Sequence, residues 1–104
     1  MEVTKWLKPS AAGKTQGVTV AAFDGSCRGV AALKKGMISV DVQTYPAKMA
    51  ELGIRAAVAY AKNKSIPKPS PGLTYFNPGI ALVTDSPVSG INSIGSDEGS
   101  KSCF

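Results

Sequence analysis

Residues Gly17–Gly25 (Gly-Val-Thr-Val-Ala-Ala-Phe-Asp-Gly) form a strand-favouring run that ends abruptly on an acid and a glycine. Val, Thr and Phe suit extended backbone, and Gly25 can take the left-handed conformation a sharp turn needs. Ser26 then offers an N-cap to a helix marked by Val30, Leu33 and Lys34, which Gly36 stops. In an open α/β sheet, ligands sit at the carboxyl ends of strands, where the connecting loops leave a crevice. Asp24 occupies such an end and is the first candidate binding residue, an acceptor of hydrogen bonds from a polar ligand.

The pattern then repeats. Ile38–Thr44 alternates apolar and polar residues, which predicts a strand with Ile38, Val40 and Val42 on one face. Pro46 opens the longest helix, predicted over Ala47–Lys62 with proline in its first turn. Its charged residues Lys48, Glu51, Arg55 and Lys62 share one narrow stripe, and Met49, Leu52, Ile54, Ala56, Val58 and Tyr60 cover the rest. So wide an apolar surface predicts burial against a sheet and its neighbours. Ser65–Pro71, with three prolines, reads as an extended linker. Thr74–Phe76 and Gly79–Thr84 read as the last strand region, and residues 85–104 as a Gly/Ser-rich surface tail. At the other end, Val3, Trp6 and Leu7 mark a short helical segment broken by Pro9. Strand, helix, strand, helix, strand is the order of an α/β protein with a parallel or mostly parallel sheet, here one small domain over residues 1–104.

Composition narrows the function. The net charge of +5 comes from scattered lysines, with two arginines among twelve basic residues and no aromatic interleaving, so no nucleic-acid partner is expected. No run is long and apolar enough to span a membrane, and Glu2, Lys5 and Lys8 interrupt any signal-peptide core. There is no histidine, and two cysteines are too few for a zinc site, so no metal or cofactor is expected. Among Glu2, Asp24, Asp41, Glu51, Asp85, Asp97 and Glu98, only Asp24 and Asp85 could meet at strand ends, and no general base accompanies Ser26 or Cys27. The chain therefore reads as a non-enzyme. Gly13-Lys14-Thr15 lacks the earlier glycine of a phosphate loop, position 8 being lysine, and precedes a strand where such a loop follows one. Cys27 and Cys103 either pair, which requires an oxidising compartment, or remain two free thiols.

Five segments in this order carry a resemblance: Gly17–Gly25, Ala31-Ala-Leu-Lys-Lys-Gly36, Ile38-Ser-Val-Asp-Val-Gln-Thr-Tyr-Pro46, Met49-Ala-Glu-Leu-Gly53 and Gly79-Ile-Ala-Leu-Val-Thr84. Together they resemble the C-terminal part of the periplasmic sugar-binding proteins of ABC transporters, in the ribose- and galactose-type branch, over about residues 11–104. The resemblance implies a partial periplasmic-binding-protein-like (flavodoxin-like) fold, with two lobes joined by crossing strands and a monosaccharide or polyol held between them by hydrogen bonds. It implies that Asp24 accepts from sugar hydroxyls and that Gln43 or Thr44 supplies a second polar contact. It also implies a periplasmic location and a membrane permease as partner. Family members are considerably longer, so the chain is expected to be a fragment of a two-lobed protein. Helix 47–62 would then present its apolar face to a missing lobe or to a second copy, giving a homo-oligomer. Two alternatives share the sequence pattern: the effector-binding part of a lac-repressor-type regulator, and a stand-alone self-associating module.

Overall fold

A computed structural model describes residues 19–104; the predicted N-terminal helical segment lies outside the described residues. Three strands, β1 (Ala21–Asp24), β2 (Val40–Gln43) and β3 (Ala81–Val83), form one sheet in the order β1-β2-β3. Three helices accompany them: α1 (Cys27–Lys34), α2 (Pro46–Asn63) and the short α3 (Ser96–Gly99). The chain is a small α/β protein whose residues divide into two compact units, one holding the sheet with α1 and α3, the other spanning Tyr45–Gly79.

In the sheet unit, β1 and β2 run parallel, joined by a crossover, with Ala21 opposite Val40 and Asp24 opposite Gln43. Helix α1 makes that crossover for the reasons its sequence gives. The Ser26 hydroxyl accepts the Gly29 amide at 3.1 Å, and Gly36, at φ +71°, ends the helix with its amide on the Leu33 carbonyl at 2.8 Å. Its inner face buries Val30, Ala32 and Leu33; of these, Ala32 and Leu33 pack with Ile38 and Val83 as the core, ringed by Val20, Ala22, Met37 and Ile94. Each large apolar side chain so buried stabilises the fold by about 1.5–3 kcal/mol before entropy is counted.

The third strand departs from the expected parallel sheet: β3 is antiparallel to β2, with Gln43 opposite Ala81 and Asp41 opposite Val83. The reason is where the chain returns. It leaves the sheet unit after Thr44 and re-enters at Ile80, beside the very end of β2 it left, so the next strand must run back. The sheet is therefore mixed. After β3, the predicted tail adds structure of its own. Ile94 bridges Val83, the Thr84 amide reaches the Ile94 carbonyl at 2.9 Å, and the Asp85 carboxylate accepts the Ser96 amide at 2.7 Å ahead of α3.

Within the second unit, α2 spans one residue more at each end than predicted, with Pro46 in its first turn and Lys64 closing it in the left-handed conformation. The Lys48 ammonium donates to the Pro78 carbonyl at 2.8 Å, and Glu51 pairs with Arg55 one turn on. Thr74–Phe76, expected as strand, lies in a turn instead. The Leu73 amide donates to the Ser70 carbonyl, the Ser70 amide to the Tyr75 carbonyl, and Gly72 adopts φ +77°. Contrary to the burial its composition predicts, α2 has no buried residue, and Met49, Ile54, Val58 and Tyr60 are each about half exposed or more.

Gly25 is the position on which the sheet unit tolerates least change. At φ +69°, an added Cβ would lie 2.5 Å from the Gln43 backbone. Gly25→Ala is expected to lower stability by about 2–4 kcal/mol, from strained backbone plus overpacking. Urea unfolding of the two proteins measures this, and a loss below ~1 kcal/mol would contradict the packing described.

Candidate functional site at the strand ends

The parallel strands β1 and β2 end side by side, and their last residues gather the three site residues the sequence singles out. Asp24 closes β1 with φ +96°, a conformation that costs a residue with a Cβ on the order of 1–3 kcal/mol. Its backbone is held there from the next strand: the Thr44 amide and the Thr44 hydroxyl both donate to the Asp24 carbonyl, at 3.1 and 3.2 Å. Its side chain is exposed, and among the described residues no hydrogen bond or ion pair engages the carboxylate. Phe23, beside it, is 69% exposed.

Gln43 lies opposite Asp24 but its side chain takes the other course. It is fully buried, and its Nε2 donates to the Gly99 carbonyl at 2.8 Å and, at 3.4 Å, to the Gly25 carbonyl. Both neighbours are acceptors, so the amide must present its NH2 to them, which leaves Oε1 buried without a protein partner among the described residues. Of the two residues proposed for a second polar contact, Gln43 therefore braces the Asp24-Gly25 turn from within, and Thr44 fixes it from the adjoining strand.

Asp41 is the residue that sequence reasoning passed over. Two residues before Gln43 and on the same face of β2, it is 1% exposed and its Oδ1 accepts the Gly25 amide at 3.2 Å. A Cβ on Gly29 would come within 2.6 Å of its Oδ2, so Gly29 is what lets α1 close over the carboxylate. Burial pushes the Asp41 carboxyl above the ordinary carboxylate range, the Gly25 amide opposes this, and the nearby Asp24 charge adds to it. The signal available in the sequence was an acid inside an apolar strand, Val40-Asp41-Val42, with a glycine two residues into the preceding helix.

The site is thus a shelf: one solvent-facing carboxylate on a turn fixed by Thr44, Gln43 and Asp41. It can accept hydrogen bonds from a polar ligand. Two apolar grooves lie elsewhere. One of about 330 Å³, within Tyr45–Gly79, is lined by Met49, Leu52, Ala56, Pro67, Phe76 and Pro78. Another of about 270 Å³, on the sheet unit, is lined by Val40, Leu82, Thr84, Val88 and Ile91 among others. Neither includes Asp24. Among the described residues no cluster of three metal-ligating side chains occurs, and no helix is long and apolar enough to cross a membrane. Cys27 and Cys103 form a disulfide, which is compatible with an oxidising compartment. No protein-family model, curated protein or solved structure matches the chain.

Two substitutions separate strain from binding here. Asp24→Gly removes the positive-φ cost and is expected to raise stability by about 1 kcal/mol after the entropy of a freer unfolded chain is subtracted; denaturant titration checks it. Asp41→Asn keeps an acceptor for the Gly25 amide and removes the buried charge. An acid whose folded pKa is raised binds more protons folded than unfolded, so its contribution to stability falls as pH rises from about 4 through the raised value. The stability of Asp41→Asn relative to the parent should accordingly grow between pH 3.5 and pH 7, as equilibrium unfolding at both pH values would show.

Proposed function

We propose that this chain is the C-terminal part of a two-lobed binding protein that captures a monosaccharide or related polyol for an ABC-type uptake system in an oxidising compartment such as the periplasm. The observation that carries the reading is Asp24. It is an acid held in an unfavourable conformation at the carboxyl end of a parallel strand, its side chain exposed and, among the described residues, without a hydrogen bond or ion pair. Backbone strain tends to cluster at binding sites, and here it falls on an exposed acid whose following glycine is held by two buried polar groups, Asp41 and Gln43. The return of the chain beside β2 supports it as well. The chain leaves the sheet unit after Thr44 and re-enters it at Ile80, at the same end of β2, as crossing strands of a two-lobed protein would.

The disulfide favours this reading over the lac-repressor-type regulator that shares the sequence pattern, because regulators work in a reducing cytoplasm. Selection would rest on hydrogen bonds: Asp24 accepts from ligand hydroxyls, and Thr44, already donating to the Asp24 carbonyl, keeps the carboxylate on station. A hydrogen bond to a charged group contributes about 1.5–3 kcal/mol, so removing the charge weakens binding at least about tenfold.

Titration of isotopically labelled protein with a panel of monosaccharides and polyols, followed by amide chemical shifts, tests this. The expected result is saturable shifts at Phe23, Asp24, Gly25 and Thr44 for one sugar class, and affinity reduced at least about tenfold in Asp24→Asn. Absence of shifts at those four amides across the panel, or unchanged affinity in Asp24→Asn, would reject the reading.

A further inference from the structure

The Cys27–Cys103 disulfide ties two places that matter to the strand-end turn. Cys27 is the first residue of α1, three residues after Asp24, and its amide donates to the Phe104 carbonyl at 2.9 Å. Cys103 belongs to the C-terminal segment 95–104, whose Gly99 carbonyl is the nearer acceptor of the buried Gln43 amide. That segment holds few apolar side chains, and its buried members, Ser96 and Gly99, are small. Phe104 is about half exposed. Hydrophobic burial therefore contributes little to docking it. What remains is the Asp85–Ser96, Gln43–Gly99 and Cys27–Phe104 hydrogen bonds, the exposed Lys34–Asp97 pair, which is worth little in water, and the covalent link. The covalent link joins residues 76 apart in sequence, and of these ties it is the one that a change of redox state removes.

We propose that this disulfide is a redox latch: oxidised, it docks segment 95–104 and through Gly99 and Gln43 fixes the Asp24-Gly25 turn; reduced, it releases the segment and loosens that turn. Without Gly99, the Gln43 NH2 keeps, among the described residues, only its long contact to Gly25, and the buried amide no longer braces the turn. The reductant is a dithiol. Its thiolate attacks Cys103 Sγ, the disulfide bond breaks, and Cys27 leaves as a thiolate that the amino end of α1 stabilises. The second thiol then displaces Cys103 from the mixed disulfide, and the products are a cyclic disulfide of the reductant and two protein thiols. Coupling to ligand rests on the sugar-binding reading; coupling to the turn does not.

Amide hydrogen exchange on the oxidised protein, the dithiol-reduced protein and Cys103→Ser decides it, with sodium sulfate present to suppress global unfolding. The expected result is exchange on the order of tenfold faster or more at Gly25, Cys27 and Gly99, with the Met37 and Thr84 amides, bonded to Ala32 and Ile94, unchanged. Acceleration confined to residues 102–104, acceleration shared equally by Met37 and Thr84, or no change would each overturn the latch. The second would make the bridge a staple of the whole sheet unit. Adding the sugar panel to both redox states separates the two proposals. Affinity at least about tenfold weaker after reduction supports the coupling, and equal affinity overturns it. Binding in neither state rejects the sugar reading while the exchange pattern still decides the latch.

Discussion

The buried amide of Gln43 is the interaction on which the sheet unit turns. A primary amide taken out of water costs several kcal/mol unless hydrogen-bonded, and this one meets two carbonyls from distant parts of the chain, Gly25 and Gly99. That requirement propagates outward. Gly25 must be glycine because its missing side chain is where the Gln43 backbone passes, and Gly99 must be small because Val83 lies 2.9 Å from where its Cβ would be. The amide thus joins the turn after β1, the end of β2 and the C-terminal helix in one contact.

Asp41 adds a second buried polar group two residues away on the same face. A carboxylate here opposes folding at neutral pH, yet it supplies the acceptor that the Gly25 amide needs at a position where no strand partner is available. Together Asp41, Gln43 and Thr44 specify the geometry of a single turn from three directions. Such over-determination is how a chain keeps a residue with a side chain at φ +96°, and it leaves the Asp24 carboxylate, alone of this group, turned to solvent.

The Tyr45–Gly79 unit follows a different logic. Its helix α2 follows local rules at several points, with proline in the first turn, an ion pair one turn apart and a left-handed residue at the end, although Tyr45 at its N-cap makes no side-chain cap hydrogen bond. Its side chains nonetheless remain at least partly exposed along the whole length, so its apolar groups gain little from burial within the chain.

Local chemistry sufficed to read the elements around the strand ends. The Asp24-Gly25 turn, the Ser26 cap, the Gly36 stop and Pro46 at the start of α2 each depend on one or two residues and their nearest neighbours. The α/β order follows from these, whereas the meeting of Asp24 with Gln43 and Thr44 depends on the parallel register of β1 against β2. Strand direction did not, because β3 is antiparallel only through where residues 45–79 return the chain, a long-range outcome no local pattern encodes. Nor did the fates of Gln43 and Asp41. Alternation along Ile38–Thr44 places Asp41 and Gln43 together on the face opposite Ile38, Val40 and Val42, and alternation alone does not say that polar side chains on such a face will be covered. The fold buries that face under α1 and the C-terminal segment, because Gly25 and Gly29 leave the space, the Gly25 amide donates to Asp41, and the Gly25 and Gly99 carbonyls accept from Gln43.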